Sequence, residues 1–223
     1  MSLTTIKRIL RAHDVTVVGS APLSNHEIKK IESSDRLICI NGSISSTTRV
    51  PDIWVLNSRH YDDELYTDPN RWPEERKRLH EEMLKQSIGR KARHVLFVLK
   101  SYTPNQTIQR LKDQGTSWRG QTVLSPGHKT DLVRSLGVNK FSTAFNISAG
   151  LLGACISLYS KAKSVTMCGF SFNNNYQYLS SVPSDTRKHI PQDKEALADL
   201  IQIHSNLIIP DGLLDCLSKT GEI

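Results

Sequence analysis

The chain has 223 residues, of which 38% are hydrophobic and 23% charged, with a net charge of +7. That balance fits one sizeable soluble domain and excludes disordered and fibrous classes. No run of about 18 apolar residues marks a membrane span, and the opening MSLTTIKRILRAHD lacks the apolar core of a secretory signal, so the expected location is cytoplasmic. The basic excess favours an anionic partner such as a nucleotide, an acidic sugar, nucleic acid or an anionic lipid surface. Much of it lies in residues 71–93 (RWPEERKRLHEEMLKQSIGRKAR), where both signs alternate and aromatics are sparse. A solvated helix has that pattern, whereas a groove for single strands does not. Nucleic acid is therefore not the expected partner. Peripheral contact with an anionic membrane at its inner face and homo-oligomerisation stay open.

In chain order, residues 1–12 read as a short amphipathic helix, and 15–19 (VTVVG) as a fully apolar strand closed by Gly19 and Ser20. Such a run suits a central parallel strand buried on both faces. A glycine at its end lets the backbone turn where a ribose or phosphate approaches. Residues 25–34 read as a helix, 36–40 (RLICI) as a second strand ending in Asn41-Gly42-Ser43, and 53–56 as a third ending in Asn57-Ser58. Three polar strand ends in succession predict a crevice built to hydrogen-bond a polar ligand, since the carboxyl ends of parallel strands line one edge. Residues 73–90 form the charged helix and 94–99 (HVLFVL) a fourth strand, while 101–140, with several Gly and Pro, read as a lid or acceptor-side excursion.

A small-residue helix follows over 147–159, then a strand at 165–168 stopped by Gly169 and a polar cluster, FSFNNNYQY. His189 stands just before Pro191, which reads as the first residue of a helix running through Asp193, Leu197, Leu200 and Ile201. Residues 206–209 form a late strand and 213–217 a closing helical turn. The four cysteines, Cys39, Cys155, Cys168 and Cys216, are widely spaced and read as free thiols. The Asp62-Asp63 pair reads as a surface turn, so no metal site is expected. Residues 1–223 are thus expected to form a single α/β domain, Rossmann-like, with a mostly parallel sheet and helices on both faces.

These segments resemble the bacterial lipooligosaccharide sialyltransferases, glycosyltransferase family 42. VVGSAP stands where that family has a strand and a Gly-Asn-Gly-Pro turn, ICING matches its strand ending in Cys-Asn, and NISAG is similar to its Arg-Ile-Thr-Ser-Gly helix start. VTMCGFSF is similar to a strand ending in Gly-x-Asp-Phe, and HIPQDKEAL to the segment of the catalytic histidine. The resemblance implies a GT-A-like domain that binds a nucleotide sugar, with a lid. It implies a metal-independent inverting enzyme that moves sialic acid or a related acidic sugar from a cytidine monophosphate (CMP) sugar to a surface-glycan acceptor, with no other cofactor. Asn41 would bond the nucleotide, Gly19 and Ser20 would lie beside ribose and phosphate, and Ser148 and Gly150 would face the cytidine. Gly169, Ser171 and Asn173 complete the implied nucleotide site. His189 would be the general base, and Tyr176 or Tyr178 would bond the departing phosphate.

Four positions depart from the pattern: Ser20 and Asn146 stand for Asn and Arg, Ser171 for Asp, and Asn173 for a phosphate-binding tyrosine. The implied chemistry suits the residue types. A CMP leaving group is already a stable phosphate monoester anion that hydroxyl donors can stabilise, and a neutral imidazole can take the acceptor proton near neutral pH. A helix starting at Pro191 would favour the neutral ring at His189, and Asp193 would oppose that if it came close. Two alternatives stay open: a Mg-dependent diphosphotransferase on the same nucleotide-binding sheet, and a non-catalytic nucleotide- or glycan-binding protein.

Overall fold

Five short apolar runs of the sequence become strands because each is flanked by polar turn residues and faces helices on both sides. The structure, a computed structural model, describes residues 3–57, 74–98, 105–138, 147–172 and 189–218. Its strands are β1 (Asp14–Val18), β2 (Arg36–Ile40), β3 (Ile53–Asn57), β4 (Lys91–Val98), β5 (Ser117–Leu124), β6 (Ser164–Cys168) and β7 (Leu207–Ile208). The helices are α1 (Thr4–Leu10), α2 (Asn25–Ser33), α3 (Glu74–Ser87), α4 (Asn105–Asp113), α5 (Pro126–Arg134), α6 (Ala149–Tyr159), α7 (Ile190–Ile203) and α8 (Asp211–Ser218). Among the described residues, no helix is long and apolar enough to cross a membrane.

All seven strands pair in parallel, in the order β5-β4-β3-β2-β1-β6-β7. The chain builds outward from β1 to β5, then returns to place β6 on the free side of β1. The strand order therefore reverses between β1 and β6, the place where open α/β sheets leave a crevice at their carboxyl edge. One face of the sheet packs Val15, Val17, Ile38, Ile40, Val55 and Leu96 against α1, α5, α6, α7 and α8. The other packs Val18, Leu37, Cys39, Trp54 and Phe97 against α2, α3, α4 and the turn after β2. A single α/β domain results.

The small residues of α6 have a packing reason. A Cβ on Gly153 would stand 2.9 Å from both the Ile40 Cδ1 and the Val17 Cγ1, so only glycine lets this helix lie so close to β1 and β2. From Gly150 to Leu158 every residue of α6 is buried.

The reading of residues 101–140 as an excursion is corrected. Residues 105–138 form the regular unit α4-β5-α5, and β5 extends the sheet beside β4 in register from Lys91↔Ser117 to Val98↔Leu124. An edge strand is half solvated, so SWRGQTVL carries polar residues where an interior strand would not. Two smaller corrections concern boundaries: α7 begins at Ile190, ahead of Pro191, and β7 is only two residues long.

His94 of β4 is buried, with Nε2 2.9 Å from the Thr122 hydroxyl of β5. Its Nδ1 fills the space a Cβ on Gly120 would need, at 2.7 Å. Burial lowers the imidazole below its ordinary value of 6.5. The unfolded chain then binds a proton that the folded chain refuses. This contribution to stability is complete above the unfolded value and is lost as pH falls through the folded one. The urea midpoint is expected to drop between about pH 7.5 and about pH 5 more steeply for the native chain than for His94→Gln, which keeps a hydrogen-bonding group. Equal slopes would contradict this assignment.

Candidate active site

The turns leaving β1 and β6 meet at the reversal of strand order. The Gly19 N–H donates to the Cys168 carbonyl at 2.8 Å and the Ala21 N–H to the Gly169 carbonyl at 2.8 Å. A Cβ on Gly19 would lie 2.5 Å from that same Gly169 carbonyl oxygen and 3.2 Å from the Phe170 ring. Gly169 is left-handed, with φ +66°, a conformation glycine adopts without steric cost. Its N–H donates to Glu27 Oε1 at 2.7 Å. The other oxygen of Glu27 accepts from the Ser24 N–H and hydroxyl, both at 2.8 Å. One carboxylate thus caps α2 and fastens the β6 turn to it.

The Phe170 ring also lies against α6, where a Cβ on Gly150 would stand 2.5 Å from its Cε1. At Gly19 the Gly169 carbonyl and this ring, and at Gly150 the ring, leave no room for a side chain. The glycines are required, and the reason seen in the structure is packing. Ser148 is the N-cap of α6: its hydroxyl accepts from the Leu151 N–H at 3.2 Å. The Ser148 N–H donates to Asp193 Oδ1 of α7 at 2.8 Å, and the Lys129 ammonium donates to the preceding Ile147 carbonyl at 3.1 Å.

Asn41 follows β2 with φ +47° and opens a 3-10 turn, Asn41–Ser46. Its carbonyl accepts from the buried Trp54 indole at 2.8 Å and its Oδ1 from the Asn57 N–H at 3.0 Å. Because the Asn57 N–H needs an acceptor, the side-chain amide is oriented with its Oδ1 towards β3. Ser43 ties this turn to its neighbour by donating to the Val18 carbonyl at 2.7 Å.

His189 is the N-cap residue of α7, and its carbonyl accepts from the Asp193 N–H at 2.8 Å. One oxygen of Asp193, the residue expected to act on the ring if it came close, bonds the Ser148 N–H of α6. The predicted residues Gly19, Gly150 and Gly169 therefore share one cluster around Phe170, with Asn41 on the adjoining strand end and Ser148 linked to the helix of His189. Ser20 and Ser171, both half-buried, lie in the two turns. Tyr176, Tyr178, Asn173 and Asn146 lie outside the described residues. Sequence reasoning missed Phe170 and Glu27, and read Ser43 only as part of a polar strand end. Only Glu27 had a visible signal, the Ser24-x-x-Glu27 capping box.

All four cysteines are thiols. Burial pushes Cys39, Cys155 and Cys168 up to about 12, the last with help from the Glu27 charge. Among the described residues, no group of three or more His, Cys, Asp and Glu could hold a metal ion.

The fold is similar to that of solved Campylobacter jejuni sialyltransferases. A tyrosine-to-phenylalanine variant of Cst-II in complex with CMP matches with a TM-score of 0.53 at 12% identity, covering 92% of this chain and 84% of that one. An asparagine-to-alanine variant of Cst-II with CMP gives 0.51 at 12%, with the same coverage of 92% and 84%. The monofunctional α-2,3-sialyltransferase Cst-I gives 0.50 at 12%, over 89% and 75% of the two chains. The likeness is one of fold. No protein-family model matches the sequence, and no curated protein matches it.

Two measurements check this geometry. Gly150→Ala is expected to cost about 1–3 kcal/mol of stability by crowding Phe170, and to cost measurably less in a Phe170→Ala background. Additivity in that double-mutant cycle would contradict the contact. Ellman's reagent is expected to label the half-buried Cys216 in the native protein, and Cys39, Cys155 and Cys168 only on unfolding. Fast labelling of Cys168 would show that the β6 end is open.

Proposed function

We propose that this protein is a glycosyltransferase that transfers sialic acid or a related acidic sugar from a CMP-sugar to a glycan acceptor, inverting the anomeric centre without a metal ion. The observation that carries the reading is the convergence, at the reversal of strand order, of the β1 and β6 turns, the Asn41 turn and the N-terminus of α6. His189 is linked to the same place through α7. Nucleotides bind at such reversals in open α/β sheets, and the similarity in fold to sialyltransferases supports the same site. In this reading the Nδ2 of Asn41 donates to the nucleotide, and Ser148 and Gly150 present the start of α6 to the cytidine. Gly19, Ser20, Gly169 and Ser171 border the ribose and phosphate, together with Asn173. His189 takes the proton of the acceptor hydroxyl as that oxygen attacks the anomeric carbon from the face opposite CMP. The bond to phosphate breaks with its electron pair, and Tyr176 or Tyr178 donates a hydrogen bond to the departing anion.

A second reading, nucleotide binding without turnover, is favoured by one observation. Phe170 fills the space over Gly19 and Gly150, and the Gly169 and Ser148 amides already hold the carboxylates of Glu27 and Asp193.

Donor hydrolysis and sugar transfer, assayed with excess chelator, separate these readings. The native chain is expected to turn over the CMP-sugar under chelator, and His189→Ala to lose on the order of 10²- to 10⁴-fold in rate. A native rate in His189→Ala at saturating donor and acceptor would remove the base assignment. A strict Mg²⁺ requirement would point to phosphotransfer, and binding without turnover to the second reading.

A further inference from the structure

The bond between Asp193 and Ser148 joins two helices that the sequence separates by 45 residues. Each partner is already committed locally. The Ser148 hydroxyl caps its own helix by accepting from the Leu151 N–H, and its backbone N–H is the group bonded to α7. The Asp193 N–H makes the first backbone bond of α7, to the His189 carbonyl. His189 and Asp193 thus move as one helical turn, and the carboxylate fixes that turn to the start of α6. The body of α7 is anchored separately, by Ala196, Leu197 and Leu200 in the core. Core packing sets where the helix lies. In the first turn Pro191 is exposed and Ile190, Gln192 and Asp193 are half-buried. A first-turn aspartate would stabilise the helix dipole from any direction, yet this one reaches across to α6, close enough for its charge to act on the Cys155 thiol.

We propose that Asp193 is a positioning residue for the reaction, holding His189 in register with the nucleotide end of α6 through the Ser148 N–H. The proposal rests on the reading of His189 as general base. An acceptor oxygen at this position is what matters: Asn at 193 keeps one, Ala removes it, and Glu carries it one methylene too far. A general base displaced by about 1 Å loses on the order of 100-fold in rate while ground-state binding of donor is largely kept.

The test uses the full chain and the variants Asp193→Ala, Asp193→Asn and Asp193→Glu. Three quantities are read: kcat and KM for turnover of the CMP-sugar, affinity for CMP by calorimetry, and NMR of the Ser148 amide and the His189 ring. Asp193→Ala is expected to lose on the order of 100-fold in kcat, with donor KM and CMP affinity within about three-fold of native. In the same variant the Ser148 amide is expected to exchange faster and the His189 resonances to shift. Asp193→Asn is expected to recover kcat to within about five-fold, and Asp193→Glu to fail. Native kcat in Asp193→Ala, or loss of donor affinity in place of kcat, would overturn the positioning role. If the native chain neither binds CMP nor turns over the donor, the functional reading fails instead. The NMR arm then still decides the coupling, since unchanged His189 and Ser148 signals in Asp193→Ala would overturn it. If Asp193→Ala does not fold, the contrast between Asn and Glu carries the test, and equal kcat in the two would refute it.

Discussion

Gly19 and Gly169 pass each other at the end of β1 and β6 with no room for a side chain between them. The rest of the crevice depends on that contact. A side chain at Gly19 would meet a backbone carbonyl, which cannot rotate away as a flexible side chain can. A side chain at Gly169 would meet the Ala21 carbonyl and impose strain on a left-handed backbone. The close approach lets the β1 turn donate two hydrogen bonds to the end of β6 and brings Phe170 across to α6. Through α6 the chain of contacts reaches Ser148, Asp193 and the first turn of α7. A topological feature, the reversal of strand order, is in this way converted into the relative placement of a nucleotide-type crevice and a histidine.

Two carboxylates serve the same purpose on opposite sides of that crevice. Glu27 holds the Gly169 N–H and Asp193 the Ser148 N–H, each bonding an amide that a turn or a helix start would otherwise leave unpaired. Backbone amides that could face an anion are instead used to fix the walls. In the proposed reaction, recognition of the donor falls to side chains such as the Asn41 amide, and hydroxyl donors suit a phosphate monoester that departs already stable as an anion.

The interior of this fold was legible where the sequence carries a continuous apolar run closed by a polar turn, as at β1, β2, β3 and β6. β5 was not, because an edge strand needs no second apolar face and Gly120 interrupts it to admit the His94 ring. At the crevice, the glycines were legible as positions needing space, but not what fills it. No periodicity tells which side chain folds over a glycine, so Phe170 could not be foreseen. Asp193 was visible one turn beyond His189. Its partner, 45 residues away, is set by how α6 and α7 pack on the sheet and leaves no local pattern. The capping box of Glu27 was readable, while its second bond to the Gly169 amide arises only when β6 comes to lie beside β1.

The central claim is that the crevice between β1 and β6 takes a cytidine nucleotide without a metal. Calorimetric titration of the full chain with CMP, cytidine diphosphate and adenosine triphosphate, each with Mg²⁺ and with chelator, tests it most directly. The account predicts binding of CMP that is unaffected by chelator and stronger than that of the triphosphate. A preference for the triphosphate with Mg²⁺, or no heat with any of the three, would contradict it.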